Sequence, residues 1–499
     1  LTFKGKSIKD LLKEIKDRGQ NLEERIVKIV QKSSLRGHAS IATTPSLCLT
    51  YEGSKFLDSA LTGIVFSSSL MSSGRRTKTT EKDIVFPDKI FLNKKAKKIY
   101  QENSERIIRF FNYLLSQKIR KDEASKILQY GIYGTGIIQL PIESIVLLKK
   151  EYLAEKEFMP DEVGILLEIV EKNLKQLGVD LLYASREVAP RNVFPYPNIF
   201  KDPKVSNLTR ELLKKERLLQ GSKLISFDIS ISSDLKKKLI DLKKKREKAF
   251  SSKNKIKKEW LDLLFEQQSI LRDYNLALKF KILSSVPWRI WGEKKRHRTC
   301  PQVIESIYYC IDMAAKRFQK FKTQINKGKV NKKIIKEIEE VFSIPPSVKR
   351  NKDFLLEYLS VASGAFEGYQ KLIKLKIKPK EAIFLVPRAV KIDILQEYDF
   401  YNLLTGYYSL RLCQTAEEEM RRNTQKEAVQ IKKVLSKKGY GWLNSFIGPK
   451  CEIVGFCPEE KTCGSIKKSV KGYNKKLHEE MKEDLNKKFE AKLKKLGKL

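Results

Sequence analysis

The sequence predicts an α+β protein in two tandem blocks, on three observations. Apolar residues recur at helical spacing through most of the chain. Short strand-like stretches interrupt them at Ser46–Tyr51 and at Tyr274–Ile282, where apolar and polar residues alternate over most of the length. Finally, Ile119-Arg120-Lys121-Asp122-Glu123-Ala124 recurs as Ile377-Lys378-Pro379-Lys380-Glu381-Ala382. Each copy follows an apolar-periodic helix and precedes an apolar segment, as two related domains would require.

The elements follow in order. Residues 1–32 form a basic amphipathic helical pattern with no apolar h-region, so no signal peptide is expected. Residues 33–200 make a first domain. It opens on a stretch rich in Ser, Thr and Gly, continues through helices at Phe91–Gln117 and Asp161–Leu182, and is broken by Pro190, Pro195 and Pro197. Residues 201–265 read as a basic helical connector. Its runs Lys236–Lys238 and Lys243–Arg246 are either a solvated helix face or a phosphate-binding stripe. Residues 266–450 make the second domain, with helical patterns at Val303–Lys320, Asp353–Lys374 and Leu395–Lys433. Residues 451–499 are a Cys-containing segment and a basic helical tail.

Composition narrows the function. Lys and Arg number 101 against 60 acids, a net charge of +41 that draws polyanions such as nucleotides, polyglutamylated cofactors, nucleic acid or anionic surfaces. No run approaches the roughly 18 apolar residues of a membrane span. Seven cysteines, an odd number, argue against a disulfide framework and for a cytoplasmic location. Cys451, Cys457 and Cys463 are evenly spaced and could join His478 at a zinc site, against the alternative of buried or free thiols. No Gly-rich phosphate loop is legible.

The sharpest local feature is Arg296-His297-Arg298, followed after seven residues by Ser306. Guanidinium forks bind phosphates and carbonyls bidentately, and a Ser at a helix start adds a hydroxyl beside free backbone N–H groups. This spacing resembles the signature of the flavin-dependent thymidylate synthases. Ala382–Pro387 is similar to that family's Ala-Arg-x-x-Leu-Pro segment, and Arg411, Ala416, Glu419 and Arg421 match the spacing of its later helix. In the first block, Arg36-Gly37-His38-Ala39-Ser40 resembles the family's opening Gly-His-x-Ser. Gly63-Ile64-Val65 fills the Arg-His-Arg slot there, and Ser73-Gly74-Arg75 resembles the end of the motif; a second register sets Arg75-Arg76-Thr77 against His297-Arg298-Thr299.

The resemblance implies two tandem, diverged domains of that family, each a small antiparallel sheet packed with long helices. It implies methylation of dUMP to dTMP, with FAD carrying the hydride and methylenetetrahydrofolate and NADPH as co-substrates. Arg296, His297, Arg298 and His38 would hold FAD. Ser73, Gly74, Arg75, Ser306, Arg411 and Arg421 would bind dUMP, in composite sites that draw on both halves of a self-associating chain. The pattern is departed from at Ser125 and Ile383, which stand where the family has Arg, and at Glu293 and Glu417, which stand where it has Gln. The competing expectation is a polyanion-binding protein derived from the same fold.

Overall fold

The computed structural model describes residues 7–19, 21–64, 66–72, 78–189, 197–216, 218, 221–251 and 266–498. The chain divides into two compact units that interleave along the sequence. Unit 1 comprises Leu1–Val205 with Ser306–Val390, and unit 2 comprises Ser206–Glu305 with Lys391–Leu499. Both are mixtures of helices with one small antiparallel sheet. Among the described residues, no helix is long and apolar enough to cross a membrane.

The sheet of unit 1 holds β1 (Ser46–Ser54), β2 (Ser68–Met71) and β3 (Tyr133–Pro141) in the order β1-β3-β2. The sheet of unit 2 holds β4 (Ser222–Ile229), β5 (Leu278–Pro287), β6 (Gln302–Ile304) and β7 (Lys391–Asp399) in the order β4-β5-β7-β6. One plan is thus used twice. β1 and β5 each run without a loop into a seven-residue helix, Lys55–Leu61 and Trp288–Lys294. A short strand follows, β2 or β6, and a later strand, β3 or β7, inserts antiparallel between the first two. β2 and β6 begin at nearly the same distance along the chain from Lys55 and Trp288, which agrees with the register that sets Gly63-Ile64-Val65 against Arg296-His297-Arg298.

The hexapeptide repeat is a repeated helix terminus. Two 23-residue helices, Lys94–Ser116 and Lys352–Lys374, each open on an Asn whose side chain accepts from first-turn amides. Each ends at a lysine in the left-handed region, Lys118 at φ 59° and Lys376 at φ 63°. The next amide then bonds back into the helix, Ile119 to Leu114 O at 3.0 Å and Ile377 to Leu372 O at 3.1 Å, which satisfies orphaned carbonyls. In unit 1 these helices pack on each other, Phe110 against Tyr358 and Tyr113 edge-on to Phe354. The unit's core includes Phe56 stacked on Phe384 at 4.3 Å.

Several expected elements are corrected. Residues 1–32 form two helices, Ile8–Asp17 and Leu22–Lys32, because Gly19 takes a left-handed φ between them. Gly178 likewise splits Asp161–Leu182 into helices Asp161–Gln176 and Asp180–Val188. The strand expected at Tyr274–Ile282 starts later, at Leu278. The pattern at Val303–Lys320 begins as β6 before its helix, Ile307–Asn326. Helical spacing at Leu395–Lys433 conceals β7, whose residues Ile394, Leu395 and Gln396 are buried in succession, so the alternation that marks a strand is lost. The connector contains the edge strand β4, half of whose residues are polar, in addition to the Lys-rich helix Ser233–Ser251.

Candidate functional site

The site that the sequence singles out lies in unit 2. Helix Trp288–Lys294 buries Trp288 and Trp291 completely, and the chain then turns through residues 295–301 into β6. The turn is closed by Arg296 N to Glu293 O, His297 N to Lys294 O and Cys300 N to His297 O. After Pro301, Gln302 enters the sheet opposite Gln396. Asn402 braces the turn from the following helix: its Nδ2 donates to Thr299 O at 3.3 Å and to Asp399 Oδ1 at 2.8 Å.

This turn presents the signature side chains differently. Arg296 and Arg298 are exposed, and among the described residues neither guanidinium has an acidic partner. His297 is drawn inward, edge-on to the buried Tyr407 at 5.0 Å. Its Nε2 accepts a hydrogen bond from Arg411 Nε at 2.9 Å, so the hydrogen-bond network assigns the imidazole proton to Nδ1. Burial, reinforced by the positive charges of Arg411 and Lys294 and opposed by Glu293, pulls His297 down to about 3. The turn therefore offers two cations flanking a neutral imidazole.

Beneath it sits a buried polar cluster that the sequence did not reveal. Lys294 Nζ, fully buried, lies 3.1 Å from Glu427 Oε1 and 3.1 Å from Gln396 Oε1, and 5.2 Å from the centre of the Tyr407 ring. Burial acts to lower this ammonium, but Glu427 outweighs it and holds Lys294 above its ordinary value. Glu427 also accepts from Ser284, Asn423 and Tyr408. Lys294 was hidden within Glu293-Lys294-Lys295-Arg296, where nothing separates it from surface lysines. The adjacent Tyr407 and Tyr408 were the available signal. Gly406 makes their placement feasible, because a Cβ there would meet Tyr401 Cε1 at 2.6 Å.

The other expected residues divide as follows. Arg411 joins His297, and its Nη1 pairs with Glu293 Oε2 at 2.9 Å. Arg421 lies in unit 2 on helix Glu418–Lys437, with its Nε buried and lacking a hydrogen-bond partner among the described residues. Ser306 falls in unit 1, fully buried, and its hydroxyl donates to Lys201 O at 2.6 Å. His38 is exposed in unit 1 beside the left-handed Gly37. Ser73, Gly74 and Arg75, and Arg76 and Thr77 of the second register, lie outside the described residues. Arg388, near the lost family arginine, donates to Gln129 O and stacks over Tyr130 within unit 1. Cys451 and Cys457 are buried and Cys463 is exposed. His478 spends its ring nitrogens on the Tyr473 hydroxyl and the Glu460 carbonyl. Among the described residues, no three His, Cys, Asp or Glu side chains are gathered at metal-ligating spacing.

Residues 222–435 match the family model described as thymidylate synthase complementing protein. Curated relatives include a flavin-dependent thymidylate synthase of Pyrococcus furiosus, 28% identical over 141 residues, which are 28% of this chain and 57% of that protein. That of Saccharolobus solfataricus is 29% identical over 120 residues, covering 24% of this chain and 43% of that protein. The chain thus spans about half the length of the curated relatives it matches. A solved flavin dependent thymidylate synthase from Helicobacter pylori, complexed with FAD and dUMP, is similar at 14% identity and TM-score 0.31, covering 46% of this chain and 100% of that one.

Proposed function

We propose that the protein is a flavin-dependent thymidylate synthase, on the similarity of residues 222–435 to that family's model and relatives, and that it methylates dUMP to dTMP in the cytoplasm using FAD, with methylenetetrahydrofolate and NADPH as co-substrates. The observation that carries this reading is the turn at Arg296-His297-Arg298. Two exposed guanidiniums, without acidic partners among the described residues, flank an imidazole kept neutral by burial and by Arg411. Such a set fits a flavin nucleotide, which carries a pyrophosphate for cations and ring carbonyls and nitrogens for neutral donors.

When bound, FAD supplies the hydride; the protein's own residues bind and orient. Arg296 and Arg298 would hold the cofactor's anionic and carbonyl groups. His297 would donate from Nδ1 while Arg411 fixes its ring. Arg421 would turn its unsatisfied Nε toward the nucleotide, and Arg411 would bind the nucleotide in competition with Glu293. His38, Ser73, Gly74, Arg75 and Ser306 are carried into the proposal from the sequence resemblance. Their tandem origin is supported by the shared strand order of the two sheets and by the paired helix ends at Lys118 and Lys376. We further propose self-association of the chain, with sites composed from both halves. Titration of FAD into the full chain tests the reading: saturable binding that weakens in Arg296→Ala supports it, and equal binding in the variant refutes it.

A further inference from the structure

Four of the seven cysteines of the chain converge in unit 2. Cys413, Cys451, Cys457 and Cys463 line one cavity of about 70 Å³, too small for a nucleotide and large enough for an ion. They come from two segments. Cys413 follows the helix Tyr407–Arg411, two residues beyond the arginine that holds His297. The others come from the C-terminal segment, Cys451 on helix Lys450–Val454 and Cys457 and Cys463 from the loop beyond it.

We infer that Cys413, Cys451, Cys457 and Cys463 form a tetrathiolate site for one zinc ion, which ties the C-terminal segment to the loop after Arg411. This site is independent of the flavin reading. Four thiols are a donor set that selects zinc over hard cations, which prefer oxygen. The surroundings suit it electrostatically. A zinc ion with four thiolates carries two net negative charges, and Lys450 and Lys461 line the same cavity beside a single acid, Glu459.

The segment also has a mechanical use for such a clamp. Its core is a small cluster of Cys451, Ile453, Val454, Phe456, Cys457, Ile466, Val470, Tyr473 and Met481. Apolar burial in so small a segment yields little net stability, and metal ligation is a common remedy. Local geometry permits closure. Cys457 precedes Pro458, and Cys463 precedes Gly464, which adopts φ +82° and bears no side chain to crowd the sulfur. The thiols line the cavity without being gathered at ligating spacing, so binding requires side-chain rotation to reach Zn–S distances of about 2.3 Å. His478, the fourth ligand considered from spacing, is committed to Tyr473 and Glu460, and Cys413 takes its place. Burial pushes the Cys451 thiol up to about 12, so ligation must release its proton.

The test uses the full chain, reduced and stripped with a chelator, then titrated with Co(II) as a spectroscopic substitute for zinc. The expected result is the visible band pattern of tetrahedral Co(II) with sulfur charge transfer, saturating at about one ion per chain and erased by added Zn(II). Cys413 is half-buried and Cys463 exposed, so Cys413→Ser and Cys463→Ser should fold normally by circular dichroism. Each should weaken Co(II) uptake at least about tenfold, while Cys48→Ser leaves it unchanged. No tetrahedral spectrum in the reduced chain overturns the inference. So does a spectrum that both variants retain undiminished, or uptake of iron and sulfide in place of zinc.

Discussion

Arg411 donates from its Nε to Nε2 of His297 at 2.9 Å and at the same time pairs with Glu293 Oε2 at 2.9 Å. One guanidinium therefore fixes the imidazole of the signature turn and is itself held by a carboxylate. Glu293 stands where the related family has Gln, so this chain spends on an internal ion pair part of a cation that could meet a nucleotide phosphate.

Glu293→Gln should therefore raise affinity for dUMP, by up to about tenfold, since charge-assisted hydrogen bonds are worth about 1.5–3 kcal/mol and only part of one is redirected. Calorimetric titration of dUMP into both proteins checks this. Unchanged or weaker binding in the variant would remove Arg411 from the nucleotide site.

His297 gives a pH signature. Its folded value is about 3, against an ordinary histidine value near 6.5. Between those limits the unfolded chain binds a proton that the folded chain refuses. Stability contributed by the neutral ring is thus fully present above about pH 6.5 and is lost as pH falls toward 3, at up to about 1.4 kcal/mol per pH unit. Denaturation midpoints measured across that window should fall less steeply for His297→Gln. In addition, the His297 ring protons should show no titration between about pH 5 and 8 by NMR.

The buried pair Lys294–Glu427 should behave asymmetrically. Lys294→Met leaves Glu427 without its cation in a fully buried site and should cost about 3–5 kcal/mol. Replacing both residues by Met should recover much of that loss. Urea unfolding of the single and double variants distinguishes this from simple additivity.

Lys118 and Lys376 carry the same strain at equivalent helix ends. Lys118→Gly and Lys376→Gly should each stabilise by about 0.5–1 kcal/mol, because glycine occupies the left-handed region without the Cβ clash. Thermal melts check both. Similar gains at the two positions are expected if the helix ends descend from one ancestor.

Much of this was legible before the fold was known. The hexapeptide repeat marked two equivalent helix ends, and Arg296-His297-Arg298 marked the turn with two exposed guanidiniums. What escaped has physical causes. β7 is buried in succession at Ile394, Leu395 and Gln396, which erases the two-residue period. β4 is a short edge strand with half of its residues polar, followed by a lysine-rich helix, so it read as connector. Lys294 and Glu427 are 133 residues apart, and no local pattern announces that they meet. The interleaving of units, with Ser306–Val390 leaving the block that precedes it, depends equally on contacts between distant segments.

The most direct measurement is the visible absorbance of the purified full chain with FAD, before and after dUMP. A retained flavin band that shifts on adding dUMP, and that Arg298→Ala abolishes, is the predicted result. Failure to retain flavin even with excess FAD would contradict it, and would leave the +41 charge and the exposed guanidiniums to be explained by polyanion binding alone.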